Sequence, residues 1–170
     1  MKGFDWRKGM FGILICFTLM ISGCQPKTPS QFSQAQQDST QRNAPPAVAK
    51  NATQGSEFNK FFPKAQSGYD RVYTQEKKGF AEAKLNKDGK NVAMLAVSDT
   101  KSLPAAAAKF QNATAKIAGY PSVDQGATQT SVLVSDRYQV KVISKTPDFD
   151  KDDRVSWIEK FDLKGLAKLQ

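Results

Sequence analysis

Residues 80–98 read FAEAKLNKDGKNVAMLAVS. Two runs rich in apolar residues, Phe80 to Leu85 and Val92 to Ser98, flank Asn86-Lys87-Asp88-Gly89-Lys90. Asp-Gly supplies the positive φ angles of a tight hairpin turn, so the runs read as paired strands. Upstream, Gly68 opens another strand-like run from Tyr69 to about Glu76, and Gly79 closes it. Three strands in series make an antiparallel meander.

On either side of the meander the apolar spacing changes from two to three and four. Before it, Ser56 is placed to cap a short helix carrying Phe58, Phe61 and Phe62, which Pro63 ends. After it, Ser102 or Asp99 can cap a longer helix with Pro104 in its first turn. Leu103, Ala106, Ala107, Phe110, Ala113, Thr114 and Ile117 follow one buried face, and Gly119 stops it. Strands from Thr128 to Val134 and from Tyr138 to Ser144 then pair across Ser135-Asp136-Arg137. A loop with Pro147 leads to a helix bearing Val155, Trp157, Ile158 and Phe161, and Asp162 caps a last turn.

The second half echoes the first. Gly68-Tyr69 and Gly119-Tyr120 lie 51 residues apart, as do Lys109-Phe110 and Lys160-Phe161. The expected fold class is therefore α+β, with an antiparallel sheet of about six strands and helices packed on one face. The order is α-βββ-α-βββ-α, and the repeated spacing raises an internal duplication.

The amino end has a different character. Lys2, Arg7 and Lys8 precede an apolar stretch from Met10 to Ile21, too short for the roughly 20 residues a spanning helix needs. Ile21-Ser22-Gly23-Cys24 follows. A basic start, an apolar middle, an aliphatic residue, two small residues and a cysteine together resemble the lipobox of bacterial lipoproteins. The resemblance covers the first 24 residues, with Asp5 and Trp6 interrupting the basic start. It implies cleavage between Gly23 and Cys24 and a diacylglyceryl group on Cys24, with a further acyl chain on the new amino end, such as palmitate. Gln25 after the cysteine implies sorting to the outer membrane where the source has one.

From Gln25 to about Ser56 seven Gln and four Pro surround a single aromatic, Phe32. Such a stretch buries too little apolar surface to offset its ordering entropy. The expected organisation is a signal peptide at 1–23, a lipidated cysteine with a disordered tether at 24–56, and one α+β domain at 57–170. The tether's typical span is on the order of 30 Å.

Charge and cysteines limit the chemistry. The chain has 25 Lys plus Arg, 16 Asp plus Glu, two Cys and no His. Cys16 would leave with the signal and Cys24 would carry lipid, so the mature domain has no thiol and no disulfide. The alternative is an ordinary thiol pair of Cys16 and Cys24 within one apolar run. Without His or a thiol, Ser-His-Asp and Cys-His nucleophiles and histidine-ligated zinc are excluded. Ser98, Ser131, Ser135 and Ser144 lie in strands or turns without a nucleophile elbow, and no Gly-rich phosphate loop follows a strand. The expectation is a non-enzyme.

Two charged constellations stand out. Asp148, Asp150, Asp152 and Glu159 occupy positions 1, 3, 5 and 12 of an EF-hand calcium loop, with Val155 at its aliphatic position. Asp153 stands where that loop turns on glycine, and a strand with Pro147 replaces the entering helix. The other reading is that Asp148 or Asp150 caps the last long helix while Asp152 and Asp153 complement its positive end. Second, Arg71, Lys77, Lys78, Lys84, Lys87 and Lys90, with Lys64, cluster around the first hairpin. They form either a docking face for anionic lipid or envelope polymer or a solvated hairpin guarded against aggregation.

The expected function is a membrane-anchored cell-envelope lipoprotein acting as a non-enzymatic accessory or interaction module. It would face the periplasm or cell exterior, with an envelope protein or anionic polymer as partner and no nucleic acid. Alternatives are a carrier of a small hydrophobic ligand lined by Phe80, Leu95, Phe110 and Tyr138, and a weak calcium-binding domain. Beyond the lipid on Cys24 no cofactor is expected.

Overall fold

The computed structural model describes residues 48–64 and 66–169. Helix α1 spans Gly55–Phe58 and runs into a 3-10 turn, Asn59–Phe61. The first meander comprises β1 (Tyr69–Lys77), β2 (Phe80–Lys87) and β3 (Lys90–Asp99). A 3-10 turn at Thr100–Ser102 leads to α2 (Pro104–Ala108). Strands β4 (Lys116–Ile117), β5 (Tyr120–Gln125), β6 (Gln129–Val134) and β7 (Tyr138–Ser144) follow, then α3 (Lys151–Glu159) and α4 (Leu163–Leu166). The sheet is antiparallel, in the order β1-β2-β3-β7-β6-β5-β4. Two meanders thus join through their last strands, β3 and β7. Among the described residues no helix is long and apolar enough to cross a membrane.

Alternation along the strands selects the core face. Ala83 and Leu85 of β2, Leu95 and Val97 of β3, Val140 and Val142 of β7, and Val132 and Val134 of β6 are all buried on it. Phe58 of α1, Trp157 and Ile158 of α3, and Leu163 and Leu166 of α4 close over the same cluster. Each large side chain so buried contributes about 1.5–3 kcal/mol before entropy is counted. The small Ala81 and Ala83 let α1 come close. Gly55 comes closer still: a Cβ there would lie 2.5 Å from the Lys77 carbonyl oxygen and 2.6 Å from that of Phe80.

The Asp88-Gly89 turn has positive φ at both residues, 51° and 74°, as a two-residue hairpin requires. The central helix, by contrast, is far shorter than its spacing predicts. It ends at Ala108, because Gln111-Asn112-Ala113-Thr114 favours turns and Ile117 is drawn into β4 at the sheet edge. Gly119 does not stop a helix. With Ala118 it makes a second tight hairpin, at φ 87° and 51°. Leu103, placed on the buried face by its spacing, is 62% exposed.

The root of the domain differs as well. Residues 48–56 pack with the domain, and Ala52 is buried. Backbone bonds hold this root, such as Gly79 N–H to the Thr53 carbonyl at 2.6 Å, and they leave no apolar pattern in sequence. Ser56 lies inside α1, and Gln54 takes the N-cap position without a side-chain bond. The 51-residue spacing holds structurally for one pair. Tyr69 and Tyr120 both begin strands and pack against the core, whereas Phe161 joins the core and Phe110 lies outside that cluster.

Candidate functional site

Gly23 and Cys24 lie outside the described residues. The four acids of the supposed calcium loop are described, and they do not converge. Asp150 caps α3, accepting from the Asp153 N–H at 3.0 Å, while the Asp153 carboxylate accepts from the Asp150 N–H at 3.2 Å. This reciprocal box turns both carboxylates onto the backbone. Glu159 ends the nine-residue helix, about 12 Å along its axis from Lys151. Among the described residues no three acidic, histidine or cysteine side chains are placed to hold a metal ion. Asp150 and Asp153 thus serve as the capping box of α3. Asp150→Ala is expected to lower stability by about 1 kcal/mol, read as a fall in urea midpoint, with no change in calcium response.

The basic cluster is also dispersed. Lys77 and Lys78 stand at one end of the first hairpin and Lys87 and Lys90 at the other, about 23 Å apart along β2. Lys84 and Lys87 differ by an odd number of residues and so point to opposite faces of the strand. Arg71 turns inward, bonding the Pro63 carbonyl and stacking 4.9 Å from the Tyr73 ring centre. Lys77 lies over Phe80, and Lys78 reaches the Lys50 carbonyl. Lys87 and Lys90 share a depression with Asp148 and Asp153, which offset their charge. The basic residues are thus spread over both ends and both faces of the hairpin.

Two networks absent from the sequence reading hold the ends of the sheet. At the first, Asp99 is 3% exposed and takes a forked ion pair from Arg137, with Nη2 at 2.8 Å and Nε at 3.2 Å from its oxygens. Asp99 also accepts from the backbone N–H of Thr53 at 2.9 Å and of Lys101 at 3.1 Å. Thr53 Oγ1 meets Tyr138 Oη at 3.1 Å, and Tyr138 Oη donates to the Leu169 carbonyl at 3.0 Å. One buried carboxylate thus fastens Thr53, the β3 end and the β6–β7 turn, and Tyr138 links Thr53 on to Leu169. Burial would raise its pKa, but the Arg137 bond, the two backbone donors and the Arg137 charge outweigh that and hold it below the ordinary value.

At the second, Arg154 of α3 is 4% exposed. Its Nε donates to Thr130 Oγ1 at 2.9 Å and its Nη1 to Ser144 Oγ at 2.8 Å. Thr130 passes a 2.6 Å bond to Asp124, and Ser144 one of 2.6 Å to the Phe149 carbonyl. Asp124 also pairs with Lys151 at 2.7 Å. The Lys151 and Thr130 bonds, ahead of the charges of Lys151 and Arg154, hold its pKa below the ordinary value against a desolvation that would raise it. The sequence signal was available: Thr130 and Ser144 place hydroxyls at core-facing positions of otherwise apolar strands.

The four residues named for a ligand cavity do not share one. Leu95 and Tyr138 are sealed in the core at 0% and 1% exposure. Phe80, paired with Ser98, is on the opposite face of the sheet. Phe110 borders a separate depression of about 520 Å³ with Pro121 and Leu133, and Leu133 points away from Val132 and Val134. No protein-family model, no curated protein and no solved structure matches the chain.

Proposed function

We propose that the chain is a membrane-anchored cell-envelope lipoprotein, and that its domain serves as a non-enzymatic accessory or interaction module held by lipid on Cys24. The observation that carries this reading is Ile21-Ser22-Gly23-Cys24 behind a basic start and a short apolar run. Two lipid chains suffice for a stable anchor where one binds marginally. The Gln/Pro-rich stretch after Cys24 gives the reach, and the Asp99 network suits a domain attached at its amino end. Tension on residues 49–53 would act against a buried ion pair rather than a fraying strand. The domain would face the periplasm or cell exterior, or sit at an outer membrane where one exists.

The packing of Leu95 and Tyr138 favours this module over the hydrophobic carrier, because the space between sheet and helices is filled by side chains. The polar networks that are buried act as fasteners between segments. Labelling cells with radioactive palmitate tests the anchor. The wild-type protein is expected to take up label and to partition into detergent, whereas Cys24→Ser takes up none. An unlabelled wild-type protein would overturn the proposal.

A further inference from the structure

The two buried arginines differ in one respect. Arg137 grips a carboxylate, but Arg154 has none within ion-pair distance among the described residues. Arginine keeps its charge at any ordinary pH, and a buried cation held only by hydroxyls is poorly compensated. Asp124 is one hydroxyl removed and already paired with Lys151. Arg154 Nη2 donates to no described residue. Arg154 lines a depression of about 530 Å³ together with Thr128, Lys145, Pro147 and Lys151. Asp150 also lines it, with its Oδ1 accepting from the Asp153 N–H. The capping box occupies the helix end, so the pull on an anion comes from side chains.

We propose that this depression binds a small oxyanion, a phosphate or carboxylate group. The Arg154 guanidinium would donate to it, with Lys145 adding charge at the rim. Thr130 and Ser144 fix the guanidinium from behind, so its fork is set before the ligand arrives. The site lies at the Ser144 end of β7, about 20 Å from the Tyr138 end where the domain's root is fastened. The inference stands on the domain's own side chains and is independent of the anchor.

The test is calorimetric titration of the full-length protein with sodium phosphate and with sodium acetate, at ionic strength fixed by chloride. Saturable binding is expected for phosphate or acetate, with a dissociation constant near or below about 1 mM. Lys145→Ala is expected to weaken it about two- to fivefold, and Arg154→Lys by about tenfold or more through loss of the fork. Should Arg154→Lys fail to fold, judged by near-ultraviolet dichroism, the wild-type titration and the exposed Lys145 variant still decide. Repeating the titration in phosphatidylcholine and in phosphatidylglycerol vesicles separates the sources of the oxyanion. Equal affinity in both supports a soluble or polymer-borne source of the oxyanion, and a loss confined to phosphatidylglycerol supports a headgroup source of the same group. No saturable heat for either anion, or affinity unchanged in both variants, would overturn the proposal.

Discussion

Asp99→Ala is expected to lower the unfolding free energy by about 3–5 kcal/mol, because it removes one partner of a buried ion pair and strands the other. The melting temperature should fall by about 10 °C or more. The loss is large because three other attachments go with the pair: the N–H groups of Thr53 and Lys101 and the Thr53 hydroxyl all end on this carboxylate. Arg137→Ala should be severe as well, leaving the Asp99 side chain at 0% exposure with its charge unpaired. The double variant should recover part of the loss, a coupling of about 0.5–3 kcal/mol. Urea unfolding of the four proteins checks this, and simple additivity would refute the pair's role.

The same carboxylate sets the response to acid. Its native pKa lies below that in the unfolded chain, about 3.9. Its contribution is therefore complete above that value and lost as pH falls through the lower native one. Between about pH 4 and the acid limit, wild-type stability should drop more steeply than that of Asp99→Ala.

The second large effect is expected at Phe58. The side chain is fully buried and meets Tyr138 edge to face, with ring centres 5.8 Å apart. Phe58→Ala should cost about 3–5 kcal/mol, the transfer term plus that of the cavity left behind. The damage should extend beyond the hole. Tyr138 carries the bonds to Thr53 and to Leu169, so a loosened ring frees the root and the last residues together. Hydrogen exchange should rise at Leu166 and Leu169 more than at the centre of β3. By contrast Val72, 49% exposed on β1, should tolerate alanine within about 0.5 kcal/mol.

Local signals made much of this fold readable. The hairpin at Asp88-Gly89, the alternation on β6 and β7, the turn at Ser135-Asp136 and the cap at Asp150 are chemistry between near neighbours. Each appears in sequence as a turn residue, a period or a cap. The failures came where a distant partner decided. The three-and-four spacing predicts a longer central helix, but Ile117 is worth more to the sheet edge as β4. Residues 48–55 carry no apolar period because they are held by backbone bonds and by the absence of a Cβ at Gly55.

The functional residues divide the same way. Arg137 sits in a turn that sequence makes polar and ordinary, and its partner Asp99 is 38 residues away. Arg154 follows two aspartates and looks like part of a solvated face, yet α3 turns it into the protein. The acids at 148–159 matched a ligand spacing only in one dimension. In three dimensions, Asp150 and Asp153 face the helix backbone while Glu159 stands at the other end. Spacing defines a metal site only when the chain closes around it.

The most direct measurement is the mass of the amino-terminal peptide of the mature protein. It is predicted to begin at Cys24 and to carry a diacylglyceryl group on the sulfur. A mature chain that retains residues 1–23, or a Cys24 with an unmodified thiol, would contradict the anchor on which the proposed function rests.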